Sequence, residues 1–211
     1  MATNQGFLHA LDTDTGDEHF AFIPEELYDN VYRYYVNATS QNRPYGLDGG
    51  KTLWHDDTDR DGLIDPNETA ILYIGMRRGG NSYFALDVSD YRNPKYLWSI
   101  EGGQISGNDG DSTTAEGDYR ELSSTWSLPV KTKIIDNLEV KDVIVFAGGY
   151  DQNQDATNDT VVNGNVVISE DVRSPDSIGR AIFIADAETG ELIWQSSNGC
   201  LLYTSPSPRD S

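Results

Sequence analysis

The sequence predicts an all-β chain: a partial β-propeller of about three to four blades, with one short helical insertion and long acidic loops. Short apolar strands follow one another with turn signals between them, and no helical repeat separates them. One unit recurs, as Phe7-Leu8-His9-Ala10-Leu11-Asp12 with Gly16, Tyr83-Phe84-Ala85-Leu86-Asp87, and Ile182-Phe183-Ile184-Ala185-Asp186 with Gly190. Each copy is an apolar strand ending in Asp, then a turn, then a second strand carrying Phe or Trp. The Asp is expected to accept backbone N–H groups in the turn, and the aromatic to pack on the next blade. The copies lie farther apart than one blade of roughly 40–50 residues, which implies divergent blades or insertions. Closed rings use roughly four to eight blades, so the chain is expected to hold part of a ring. Residues 1–199 are assigned to it, and residues 200–211, which lack the pattern, to a tail that does not look native.

In chain order, Gly6 to Asp12 and Glu18 to Phe22 read as two strands joined at Thr13-Asp14-Thr15-Gly16. Pro24-Glu25-Glu26-Leu27 opens a short helix to about Tyr35, because proline suits a first turn and acids suit its positive end. Leu27, Val31 and Tyr35 are expected on its inner side. Asn37 to Gly50 reads as loop, Ala70 to Met76 as a buried strand, and Ser82 to Asp87 and Tyr96 to Ser99 as two more. Residues 101–121 read as a long polar loop. Trp126 to Thr132 and Asp142 to Gly149 read as strands, and residues 151–176 as a polar acidic stretch interrupted by Val166-Val167-Ile168. Arg180 to Asp186 and Glu191 to Trp194 close the pattern.

The charge balance narrows the partners. Lys and Arg number 15 against 35 Asp and Glu, a formal net charge of -20. Such a field repels phosphate backbones, so nucleic acid is excluded as a partner, and divalent cations are the natural counter-charge. The single cysteine, Cys200, lies in the tail, which leaves no disulfide framework and no thiolate metal site. No apolar run of about 18 residues predicts a membrane span, and Met1-Ala2-Thr3-Asn4 shows no signal peptide.

The acidic carboxylates are spaced for a metal. In Asp57-Thr58-Asp59-Arg60-Asp61-Gly62-Leu63-Ile64-Asp65-Pro66-Asn67-Glu68, acids fall at the first, third, fifth, ninth and twelfth places, with glycine at the sixth. This is the ligand order of an EF-hand-type calcium loop. Asp57, Asp59 and Asp61 are expected to converge on Ca2+, with the Leu63 carbonyl, Asp65 and Glu68 completing the shell. Its flanks read as strands, where an EF-hand has helices. A second loop repeats the spacing as Asp151, Asn153, Asp155 and Asp159, but has Ala156 at the sixth place and Val162 at the twelfth. Fewer charges and a costlier turn predict weaker binding there.

Several motifs in order carry a family resemblance. Asn4-Gln5-Gly6-Phe7-Leu8-His9-Ala10-Leu11-Asp12 with Gly16, Ala21-Phe22-Ile23-Pro24, Arg33-Tyr34-Tyr35-Val36 and Gly79-Gly80-Asn81-Ser82-Tyr83-Phe84-Ala85-Leu86-Asp87-Val88 begin the series. Ser124-Thr125-Trp126-Ser127-Leu128-Pro129, Gly148-Gly149-Tyr150-Asp151 and Ile182 to Gly190 complete it. Together they resemble the C-terminal propeller of the PilY/PilC proteins of type IV pili, over about residues 4–194. The resemblance implies a non-enzymatic pilus assembly factor and tip adhesin, exported to the surface of a Gram-negative bacterium, with its signal outside this chain. It implies minor pilin proteins at the pilus tip and a host or abiotic surface as partners. It also implies a calcium loop, falling on Asp57, Asp59, Asp61 and Asp65 or on Asp151, Asn153, Asp155 and Asp159, whose occupancy regulates pilus extension against retraction, and hence twitching motility. There is no Arg-Gly-Asp tripeptide.

An enzyme is the alternative. Strands ending in Asp-x-x-Thr-Gly also resemble the blade repeats of pyrroloquinoline-quinone dehydrogenases, which use calcium to polarise their cofactor. The adjacent cysteines common in those enzymes are missing. A glycosidase is weaker still, because the carboxylates cluster at metal spacing. His9, His19 and His55 show no metal or triad spacing and read as structural, and Trp54, Trp98, Trp126 and Trp194 read as inter-blade packing.

Overall fold

The computed structural model describes residues 1–36, 44–103, 119–151, 159–162, 165–168 and 178–196, the two segments between 159 and 168 as backbone only. It opens with an antiparallel hairpin, β1 (Leu8–Leu11) and β2 (Glu18–Phe22). The turn between them forms as the repeat requires. Asp12 Oδ1 accepts the backbone N–H groups of Asp14 and Thr15 at 2.9 and 2.8 Å, and Gly16 takes a φ of +78°. Those amide bonds hold the Asp12 carboxyl below its ordinary value.

A 3-10 turn, Glu25–Leu27, leads into the helix α1 (Tyr28–Val36). The face it buries differs from the expected one. Leu27 and Tyr34 are buried, whereas Val31 is partly exposed and Tyr35 is 86% exposed. Leu27 lies in the tighter 3-10 turn, so counting 3.6 residues per turn from it loses phase. The Tyr34 hydroxyl then anchors the inner face by donating to the Tyr45 carbonyl at 3.1 Å.

The central sheet is a four-stranded antiparallel meander: β3 (Lys51–His55), β4 (Ala70–Gly75), β5 (Ser82–Asp87) and β6 (Lys95–Glu101). A second meander comprises β7 (Val130–Asp136), β8 (Glu139–Ala147), β11 (Ile182–Asp186) and β12 (Leu192–Gln195). A separate hairpin, β9 (Asp159–Val162) and β10 (Asn165–Ile168), stands between β8 and β11 in the chain. β3 is the strand expected on the N-terminal flank of the acidic loop, and β7 starts four residues later than expected. Trp126 and Leu128 of the expected strand are exposed, and residues 121–125 ahead of them form a buried crossing. There Thr125 Oγ1 accepts the Met76 and Arg77 N–H groups at 2.8 and 3.1 Å and donates to the Ser82 carbonyl at 3.2 Å. Residues 104–118 of the predicted long loop and the tail from 200 lie outside the described residues. No helix among the described residues is long and apolar enough to cross a membrane.

Both faces of the central sheet are covered, because β4 and β5 are apolar at successive positions and strand side chains alternate between faces. Toward the second sheet, Tyr73, Tyr83 and Trp98 pack with Phe146 and Phe183 in one cluster. Tyr83 and Phe146 ring centroids are 4.7 Å apart, and the Tyr73 hydroxyl and Trp98 indole N–H both donate to the Ala187 carbonyl, at 3.1 and 3.3 Å. Toward the first hairpin, Ile74, Phe84 and Leu86 pack with Leu8 and Leu27 in the other. Thus the first two repeated hairpins place their second-strand aromatics, Phe22 and Trp98, against a neighbouring sheet. Trp194 of the third is 51% exposed and Trp126 is 41% exposed, so these two do not pack between blades as expected. At the third copy, Asp186 Oδ1 accepts from Glu188 and Thr189 N–H at 2.9 Å each, and Gly190 lies directly beneath the Trp98 ring.

Candidate metal centre

The acidic loop spans the end of β3 and the start of β4, so its two ends are held by a ladder. His55 pairs with Ala70 as the last register position, and the Asp56 N–H continues inward to the Thr69 carbonyl at 2.9 Å. The hairpin therefore fixes the base of the loop, and only its tip needs other support.

Glu68 supplies that support. One carboxylate oxygen accepts the Thr58 N–H at 2.7 Å and the Thr58 hydroxyl at 2.9 Å. The other meets His55 Nε2 at 3.0 Å and accepts the Asp65 N–H at 3.2 Å. The residue is 6% exposed, and the Thr58 and Asp65 N–H groups are the main causes that hold its carboxyl at about 2. Both oxygens are thus engaged by protein groups, so in this arrangement Glu68 ties the loop to β3 and does not face the tip. Sequence spacing placed it as the closing ligand. Nothing in the sequence marked Thr58 or His55 as its partners, because those contacts depend on the hairpin register.

At the tip, Asp57, Asp59 and Asp61 bring one carboxylate oxygen each within 4.8 Å of one another. A chain of short turns aims them: Asp57 Oδ2 accepts from Gly62 N–H at 3.0 Å, Asp59 Oδ1 from Asp61 N–H at 3.2 Å, and Asp61 Oδ1 from Leu63 N–H at 2.7 Å. Gly62 at φ +79° and Arg60 at φ +65° provide the left-handed steps. Asp57 Oδ1 is buried and has no hydrogen-bond partner among the described residues. Asp65 adjoins the group. Its carboxyl lies above the ordinary value, through desolvation first and then the like charges of Asp61, Asp59, Glu68 and Asp57.

This donor set fits a hard divalent cation. Oxygens sharing a calcium at about 2.3–2.6 Å are necessarily within roughly 5 Å of each other, as these three are. Leu63 stands in the same turn, with its side chain outward. A buried oxygen without a donor is costly unless a cation or water meets it.

The second loop is only partly visible. Asp151 is buried at 7% exposure and follows Gly149, whose φ is +92°. Asp159 begins β9, and Asn153 and Asp155 lie outside the described residues, as does the Asp159 side chain.

No protein-family model matches the chain. Curated proteins and solved structures are similar to it. The type IV pilus biogenesis factor PilY1 of Pseudomonas aeruginosa is 34% identical over 104 residues, which is 47% of this chain and 8% of that protein. A PilY1 homolog of Xylella fastidiosa is 32% identical over 135 residues, 61% of this chain and 10% of that protein. The chain thus spans about a tenth of the length of the curated relatives it matches. The crystal structure of the Pseudomonas aeruginosa PilY1 C-terminal domain superposes with a TM-score of 0.52 at 23% identity, covering 92% of this chain and 28% of that domain. That likeness is one of fold.

Proposed function

We propose that this chain, which is PilY1-like in sequence, is a calcium-binding piece of a type IV pilus biogenesis factor, built as part of a β-propeller. The names of its relatives support a pilus role that is not enzymatic. The two four-stranded meanders, packed through repeated aromatic hairpins, support the propeller reading.

The observation that carries the calcium reading is the convergence of Asp57, Asp59 and Asp61 around a buried Asp57 oxygen that lacks a donor. Asp57, Asp59, Asp61, the Leu63 carbonyl and Asp65 would hold the ion, which supplies positive charge that offsets their mutual repulsion. Glu68 keeps its protein partners and holds the two ends of the loop together. Its closure onto Thr58 fixes Asp57 and Asp59 on either side, so the loop stiffens against the central sheet when the acids are neutralised.

In this reading calcium occupancy shifts the balance between partner-bound and free states at the cell surface or pilus tip, and so pilus extension against retraction. Such coupling requires the two states to differ in calcium affinity. Calorimetric calcium titration of the wild type and Asp61→Ala tests the site. Loss of most of the binding in the variant is expected, and unchanged binding overturns the assignment.

A further inference from the structure

A second site lies away from the acidic loop, between the first hairpin and the outer edge of the central sheet, in a cavity of about 600 Å³. Phe22, Phe84 and Tyr96 give it an aromatic wall, with ring centroids 6.0 Å apart for Phe22–Phe84 and 6.4 Å for Phe22–Tyr96. The same lining carries three carboxylates, Glu25, Glu26 and Glu101. The Ser82 hydroxyl donates to Glu26 Oε2 at 3.2 Å, and among the described residues no Lys or Arg pairs with any of the three acids. Burial pushes the Glu26 carboxyl above its ordinary value, the Ser82 bond opposes this, and the charge of Glu101 adds to it.

Three acids beside aromatic faces, with no internal cation among the described residues, form the environment that attracts an ammonium group. β6, which contributes Tyr96 and Glu101, is an edge strand of its sheet, so an extended chain can pair alongside it. We propose that this cavity receives a lysine side chain presented by an extended segment of a partner polypeptide. The alkyl stem lies on Phe22, Phe84 and Tyr96, and the ammonium meets Glu26 and Glu101. A formal net charge of -20 steers a basic segment toward the surface.

The test is calorimetry and NMR of the full chain in calcium-saturated buffer with a capped, extended hexapeptide bearing one central lysine. Peptides with norleucine or arginine at that position serve as comparators. The lysine peptide is expected to bind at least tenfold more tightly than the norleucine peptide, with amide shifts concentrated in β6. Glu101→Gln, at an exposed edge position, and Glu26→Gln are each expected to remove most of that advantage. Equal binding of norleucine makes the cavity a plain apolar groove and overturns the proposal. Preference for arginine overturns the choice of lysine, as does unchanged lysine binding in Glu101→Gln, and so does an absence of binding at millimolar peptide.

Discussion

Glu68 and Thr58 clasp each other across ten residues of acidic loop, with one carboxylate oxygen taking both the N–H at 2.7 Å and the hydroxyl at 2.9 Å. The clasp explains how five acids coexist in one loop. One of them, Glu68, stays ionised with its charge met by hydrogen-bond donors from the protein itself, which leaves the rest to meet a cation.

The clasp has an acid limit. Glu68 is held at about 2 against an ordinary 4.5, so its contribution to stability is complete above about 4.5. It is lost as pH falls from there through about 2, because the unfolded chain takes up the proton first. Circular dichroism followed from pH 6 to 2 in calcium-free buffer is expected to show destabilisation across that window. Glu68→Gln is expected to be less stable at neutral pH and to show a flatter profile.

Calcium should raise the thermal midpoint. A ligand at about 100 times its dissociation constant stabilises by about 2.7 kcal/mol, and chelation reverses this. Differential scanning calorimetry with calcium and then with chelator is expected to show a rise and its loss in the wild type. Asp61→Ala, which removes one of the three converging acids, is expected to show neither.

Two turns of the same design should respond differently to the same change. Gly16 at φ +78° faces open space, whereas at Gly190, with φ +73°, an added Cβ would lie 2.8 Å from the Trp98 ring. Gly16→Ala is expected to cost only the left-handed strain, about 1 kcal/mol. Gly190→Ala adds overpacking and is expected to cost about 3 kcal/mol in all, read by urea denaturation.

Thr125 joins the crossing segment to the central sheet through one hydroxyl that is fully buried. Thr125→Val keeps the volume but leaves the Met76 and Arg77 N–H groups without that acceptor. Denaturant midpoints are expected to show a loss of about 2 kcal/mol.

The sequence by itself determined the hairpin units, because an Asp that accepts turn amides and a left-handed glycine are local requirements written at fixed offsets. Asp12 with Gly16 and Asp186 with Gly190 fold accordingly. It also determined the acidic tip, since alternating acids with Gly62 at the sixth place suffice to bring Asp57, Asp59 and Asp61 together. Tertiary structure decided the rest. Half-exposed β3 shows little apolar signal of its own and becomes a strand by pairing with buried β4. The inner face of α1 is set by where Tyr34 finds the Tyr45 carbonyl, not by an even count from Leu27. Glu68 turns from the tip to Thr58 and His55 because hairpin closure brings their donors to it. The register that does this is fixed by pairing across β3 and β4, which spacing within the loop does not encode.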